Sequence, residues 1–373
     1  MIRVAVVGNL LAILLLFFAA SMLLPLGISI VLQDHAELVH AEALYFTGLS
    51  GALLWILTRR ARSELQTRDG FIFVVLVWTV LPAFGTLPLL GYVHGLSFTD
   101  AYFEAMSGLT ATGATVLSPL DGLPTSLHLW RTLLQWFGGM GIIVLAVAVL
   151  PLLGIGGRQI LRAETPGPMK EKQLTPRIAQ TAKGLWYVYV ALTALCVTGY
   201  YLAGMQPADA FIHAFSTVSL GGFSSYDASF AHFQSPAIEG VAIAFMLAAG
   251  INFGTHFVAL RRLTLRPYLG DPELRAYLLV IGASILLVGG FLVLHGAYDR
   301  FGVALRYAAF NVVSAATTTG YSTTDYNAWP QFAPLFMILL CAFCTSSLSA
   351  GGGIKMMRAL VLFQTAFREL RRM

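Results

Sequence analysis

Eight apolar runs, each about as long as a bilayer core is thick, constrain this chain more than any other feature. They lie near 4–32, 41–58, 71–93, 128–155, 184–204, 236–260, 276–297 and 331–367. A hydrocarbon core of ~30 Å needs about 20 apolar residues in a helix. Only 11% of the 373 residues are charged, against roughly 25% in a water-soluble domain, so the chain cannot cover a water-facing surface. Disorder is excluded too, since it needs high charge and low hydrophobicity. The first run exceeds the apolar core of a signal peptide, about 7–15 residues, and reads as a retained span. The expectation is an all-α integral membrane protein with eight spans.

Basic residues orient the spans. Arg59, Arg60, Arg62 and Arg68 follow the second run. Arg158, Arg162, Lys170, Lys172, Arg177 and Lys183 follow the fourth, and Arg261, Arg262, Arg266 and Arg275 the sixth. With Arg3 and the tail of the eighth, 20 of the 23 basic residues fall on one side of alternating spans. The positive-inside rule makes that side the cytoplasm. The opposite side carries eleven acids, among them Asp34, Glu104, Asp209 and Glu239, against Arg131, Arg300 and Arg306. The positive-inside bias alone would leave it acidic; a vestibule that concentrates cations would do the same. Composition leaves both readings open.

Three short apolar segments, near 98–112, 207–220 and 302–319, are too short to cross and read as re-entrant helices lining a cavity. They resemble one another. Aligned on Gly113, Gly221 and Gly320, each has a phenylalanine ten residues earlier: Phe103, Phe211 and Phe310. The glycines stand 108 and 99 residues apart, the spacing of tandem span–short helix–loop–span modules. A helix ending at a glycine-bearing loop at membrane depth leaves carbonyls that are costly unless something coordinates them. Rings of such carbonyls replace the hydration shell of potassium in selective filters, and glycine permits the backbone angles required. The negative end of each helix dipole adds to the attraction. The competing reading of each glycine is close helix packing. Three in register favour a filter.

No Walker A loop, GxGxxG or HExxH occurs, and the eight histidines show no metal-ligand spacing. Nothing suggests nucleic-acid binding. Cys341 and Cys344 form a CxxC, read as two small apolar residues in a helix.

The strings SGLTATGATV (107–116), AFSTVSLGGFS (214–224) and SAATTTGYS (314–322) are similar to those of the TrkH/KtrB family of potassium-uptake channel subunits. QWFGGMGI (135–142), GINFGTH (250–256) and SAGGGIK (349–355) extend the resemblance over essentially the whole chain. It implies the potassium-channel-like superfamily fold, with tandem span–pore-helix–span repeats around a pseudo-fourfold pore. The implied divisions are a two-span leader over 1–69 and pore repeats over 70–180, 181–272 and 273–373. It implies filter strands at Thr110, Ala111, Thr112 and Gly113; at Val218, Ser219, Leu220 and Gly221; and at Thr317, Thr318, Thr319 and Gly320, with potassium as the transported ion and no organic cofactor. It also implies a bacterial inner-membrane location, dimer assembly and a cytosolic TrkA/KtrA-type nucleotide-binding ring. The family has four repeats and this sequence carries three. A truncated chain is the expectation, with a quarter supplied in trans as the other reading.

Within the eighth run, Thr345, Ser346, Ser347, Ser349, Gly351, Gly352 and Gly353 interrupt the helix pattern. Each glycine costs about 1 kcal/mol relative to alanine in a helix. The segment is either a flexible kink or a gate below the filter, and the resemblance supports the gate. Gly138, Gly139 and Gly141 suit close helix packing. Asn252 and His256 suit hydrogen bonds between helices or a place on the pore. Lys355 is expected to snorkel to the cytoplasmic surface. Basic residues Arg158, Arg162, Lys170 and Lys172 suit anionic lipid heads or an acidic partner. Rival functions are a nonconducting assembly subunit and, further off, a membrane-embedded enzyme.

Overall fold

The computed structural model describes residues 4–60, 67–141 and 177–372. Every regular element among them is helical, as spans must be where only a helix satisfies its own backbone. The chain divides into two compact units, residues 1–187 and 188–373. The division falls inside one helix, between Tyr187 and Val188.

The first unit opens with α1 (Val4–Ser21) and α2 (Leu23–Leu32), which together form an apolar span of 29 residues. Helix α3 (Glu37–Thr58) lies against α1, and Gly51 sets their separation: a Cβ there would sit 3.1 Å from the Leu16 backbone nitrogen. Helix α4 (Thr67–Gly85) contains Pro82 and continues through Thr86 into α5 (Leu87–Tyr92). Then comes the short α6 (Phe98–Leu109). Its N-cap Ser97 accepts a hydrogen bond from the Asp100 amide at 3.1 Å. At 12 residues it is about 18 Å long, too short to cross. Helix α7 (Thr125–Gly139) packs Trp130 against Phe18 and donates its indole N–H to the Gly85 carbonyl at 3.0 Å.

The second unit begins within α8 (Arg177–Leu202). Next come α9 (Pro207–Ser219), α10 (Pro236–Ala249), α11 (Phe253–Arg262), α12 (Arg266–Gly270), α13 (Pro272–Leu294), α14 (Phe301–Ala316), α15 (Phe332–Cys341) and α16 (Met356–Arg372). Helices α9, α10 and α13 start with proline, whose missing N–H costs nothing in a first turn.

Among the described residues five helical stretches are long and apolar enough to cross a membrane, or six if a bent pair counts as one. They match the first, second, third, fifth, sixth and seventh expected runs. Three expectations need correction or limit. The sixth run is not one straight helix: α10 and α11 meet at 94°. In the eighth, α15 ends at Cys341 and α16 begins only at Met356, with Met356 and Ala359 buried and the helix exposed from Val361 on. The fourth run continues from α7 past residue 141, outside the described residues, where Arg158, Arg162, Lys170 and Lys172 also lie.

Candidate functional site

The three short helices α6, α9 and α14 end in the same backbone turn. After α6, Ala111 N–H bonds the Gly108 carbonyl and Thr112 N–H the Ser107 carbonyl, both at 2.9 Å. After α14, Thr318 bonds Ala315 at 2.9 Å and Thr319 bonds Ser314 at 2.8 Å. After α9, Leu220 bonds Thr217 at 3.1 Å and Gly221 bonds Ser216 at 2.9 Å. Ala111, Leu220 and Thr318 are left-handed, with φ of 52°, 55° and 60°. Two residues on, Gly113, Gly222 and Gly320 are left-handed too, with φ of 79°, 81° and 90°.

This geometry corrects the alignment made on glycines. By backbone angle the counterpart of Gly113 and Gly320 is Gly222, not Gly221, so the segment equivalent to 110–113 and 317–320 is Ser219, Leu220, Gly221 and Gly222. Val218 drops out by this register, and Ser219 is the last residue of α9. The double glycine at 221–222 offers two registers, and only the backbone angles choose between them. The matched phenylalanines share no role: Phe103 and Phe211 are exposed, at 46% and 51%, while Phe310 is buried. In the corrected register Ile212 is the partner of Phe103.

The hydroxyls beside these turns mostly fold back on the protein. Thr110 donates to Met106 at 2.8 Å and Thr317 to Val313 at 2.7 Å. Thr110 and Thr112 pair at 2.8 Å, and Thr317 and Thr319 at 2.7 Å. The second turn has Ser219 bonded to the Ser216 carbonyl at 3.1 Å, and no hydroxyl at Gly221. What the three turns share is therefore backbone, not side chain. In the second unit the second and third turns touch: a Cβ on Gly222 would collide with the Thr319 carbonyl oxygen.

Nine residues before each left-handed glycine stands a buried polar side chain that ties its helix to the chain leaving the turn. Glu104 accepts from the Thr115 hydroxyl and the Val116 amide, each at 3.0 Å. It is also paired with Arg131, whose Nε lies 2.8 Å away, with both side chains buried. His213 meets the Ser224 hydroxyl at 3.1 Å. Asn311 donates to the Thr323 hydroxyl at 2.9 Å. Acid, imidazole and amide do one job, so no residue identity recurs that a motif search could find.

Residues 342–355, between α15 and α16, leave the helical path, with Leu348, Gly353 and Lys355 left-handed. They are tied down in three directions. Toward the α10–α11 bend, Ser346 N–H donates to the Gly250 carbonyl at 3.0 Å, and Phe253 N–H donates to the Leu348 carbonyl at 3.1 Å. Toward the third turn, Gly352 N–H donates to the Thr318 hydroxyl at 2.9 Å. A Cβ on Gly351 would lie 3.0 Å from the Thr317 carbonyl oxygen, and would collide with Thr345. Toward α13, Glu273 Oε1 accepts from Ser347 N–H at 2.7 Å, the Ser347 hydroxyl at 3.1 Å and Met357 N–H at 3.0 Å. Inside the loop, Thr345 donates to the Gly352 carbonyl at 2.7 Å and Ser349 to the Ser346 carbonyl at 2.6 Å.

Lys355 does not snorkel outward. Its ammonium donates to the Ser349 carbonyl at 3.3 Å and the Gly351 carbonyl at 2.5 Å. A cation thus already sits on loop carbonyls. The bend has its own causes. Asn252 caps α11 by accepting from Gly254 N–H at 2.8 Å, and a Cβ on Gly250 would collide with the Tyr277 hydroxyl. His256 spans the bend, between the Tyr268 hydroxyl at 2.8 Å and the Ala248 carbonyl at 2.9 Å.

Other residues singled out in the sequence take structural places. A Cβ on Gly138 would collide with the Leu109 carbonyl, so this glycine packs α7 on the end of α6. Glu104 is buried with Arg131, and the buried Glu239 pairs at 2.6 Å with the partly exposed Arg306. Two of the acids counted toward an outer vestibule are thereby neutralised. Cys341 and Cys344 are free thiols, the first bonded to the Met337 carbonyl. Among the described residues no three His, Cys, Asp or Glu side chains converge as metal ligands.

Comparison with known proteins covers this whole arrangement. The family model described as TrkH, cation transport protein, matches residues 37–373. The Trk system potassium uptake protein TrkH of Halomonas elongata is 46% identical over 98% of this chain and 76% of its own length. That of Salmonella typhimurium is 43% identical with the same coverage. The crystal structure of the potassium transporter TrkH from Vibrio parahaemolyticus superposes with a TM-score of 0.87 at 41% identity, over 99% of this chain and 76% of that one.

Proposed function

Because this chain belongs to the TrkH family of cation transport proteins, we propose that it takes potassium into bacteria across the inner membrane. In this reading the ion is coordinated by backbone carbonyls of residues 110–113, 219–222 and 317–320. The observation that carries the reading is the backbone signature repeated after α6, α9 and α14: a left-handed residue, one intervening residue, then a left-handed glycine. Identical backbone built from dissimilar side chains is what coordination by carbonyls demands. The loop over 342–355 is the gate, since its amide at Gly352 is hydrogen-bonded to the third strand itself. Potassium is cargo, and no organic cofactor takes part. The names of the relatives are those of transporters, not enzymes.

Regulation in this reading comes from a cytosolic nucleotide-binding ring of the TrkA/KtrA type engaging a dimer of the chain. Residues Arg158, Arg162, Lys170 and Lys172 offer it basic contacts. Replacing all four by alanine should abolish co-purification with the ring. Retained co-purification would send the contact elsewhere.

The test of transport is rubidium uptake by cells that lack their own potassium systems. Uptake is expected with the wild-type chain and lost with Gly320→Ser. The relatives extend beyond the matched region, so a second arm appends the remaining segment of a relative. Uptake only in that arm would make residues 1–373 part of a pore completed by further chain. No uptake in either arm, with insertion verified, would sink the transport reading.

A further inference from the structure

We propose that Glu273 is a positioning residue: its carboxylate latches the loop over 342–355 in the closed arrangement, and releasing it frees the gate. The proposal rests on the reading of that loop as the gate. A single oxygen, Oε1, accepts three hydrogen bonds, from the amide and hydroxyl of Ser347 and from the amide of Met357. These donors flank the glycine-rich segment on both sides, so one carboxylate closes the loop into a ring. Glu273 is only 3% exposed. Hydrogen bonds to an ionised acceptor are roughly twice as strong as neutral ones, and removing the acceptor leaves buried amides unsatisfied. Within the ring, the Lys355 ammonium holds the Ser349 and Gly351 carbonyls. The glycines that touch the third strand are therefore clamped from below.

The latch is placed to be moved. Glu273 is the second residue of α13, behind Asp271, which caps the helix through the Glu273 and Leu274 amides. Asp271 also accepts from the Thr255 hydroxyl of α11 at 3.1 Å. Arg275 donates to the Leu269 carbonyl, closing the corner formed by α11, α12 and the start of α13. That corner carries Arg261, Arg262, Arg266 and Arg275 on the side the basic residues assign to the cytoplasm. A cytosolic partner that shifts the corner shifts the carboxylate away from Ser347 and Met357.

The test follows an Ala350→Cys chain whose three native cysteines are replaced by alanine. A membrane-impermeant maleimide is applied from the cytoplasmic side, and rubidium uptake is measured in parallel without the cytosolic partner. Glu273→Ala should raise the labelling rate about tenfold, the size expected for hydrogen bonds to a charged group. Glu273→Gln, of the same volume, should raise it less, and Ser347→Ala less again. Uptake should rise in the same order. Loss of tertiary packing alone would lower uptake, so a gain separates the latch from mere destabilisation. Labelling at the wild-type rate in Glu273→Gln and Ser347→Ala, both inserted, would overturn the latch even if Glu273→Ala fails to insert. Faster labelling with no uptake in any variant would keep the latch and defeat the transport reading.

Discussion

At the scale of residues, a single φ angle separates Gly222 from its neighbour. Gly222 is left-handed and lies against the Thr319 carbonyl. A side chain in that conformation costs about 1–2 kcal/mol before any collision. Gly222→Ala should therefore cut rubidium uptake at least tenfold, while Gly221→Ala, at a position without a left-handed φ, should cut it less. The reverse order would restore the glycine-based alignment. Asp34, in the α2–α3 connection, offers a pH test. Burial alone would raise its carboxyl, but hydrogen bonds from Ser29 at 2.5 Å, Ser126 at 2.8 Å and Ala36 at 3.3 Å hold it below the ordinary carboxylate value. A depressed native pKa adds stability above the unfolded value of about 3.9 and loses it as pH falls through the native one. Thermal melts of wild type and Asp34→Asn should differ most above about pH 4 and converge in stronger acid. A constant difference would show that Asp34 acts by packing alone.

At the scale of elements, the short helices are held by buried polar clamps, not by apolar packing alone. Breaking a buried ion pair by removing one partner costs about 3–5 kcal/mol, because the other charge stays uncompensated. Glu104→Ala should lower the melting temperature in detergent by several degrees. Adding Arg131→Met should recover part of the loss, since the stranded charge goes too. Equal melting of single and double variants would mean that Arg131 finds water instead. The α10–α11 bend has a smaller lever. Asn252 supplies the cap of α11, and Asn252→Ala should cost about 1 kcal/mol. Hydrogen exchange at Gly254 would report it.

At the scale of the whole molecule, alternating basic loops set the orientation. Cysteines placed at Arg266 and Asp121 should react with impermeant maleimide from opposite sides, Arg266 from the cytoplasm. Same-side labelling would remove the topology on which both the gate and the latch depend. The matched relatives are longer than this chain, which covers 76% of their length, and the two arms of the uptake experiment compare the two lengths directly.

Composition and period were enough for the class, for the first, second, third, fifth and seventh apolar runs as spans, and for the three short helices. Burying or exposing about 20 apolar residues is a large, summed effect that each segment carries by itself. The glycine run at 351–353 likewise announced a break, because helix propensity is local. The sequence also suggested tight packing at Gly138 and hydrogen bonding at Asn252 and His256. It missed the register of the second turn, the bend at Gly250–Asn252, the inward turn of Lys355 and the hydrogen bonds Glu273 makes to Ser347 and Met357. Each of these depends on which group lies opposite. Two adjacent glycines are equivalent until the fold turns one of them left-handed and sets it against a neighbouring carbonyl that leaves no room for a Cβ. A lone glutamate at a helix start reads as a solvated charge until folding brings Ser347 and Met357, distant in the chain, to the same oxygen. Local periodicity determined what the elements are, and tertiary contact decided which of their residues meet.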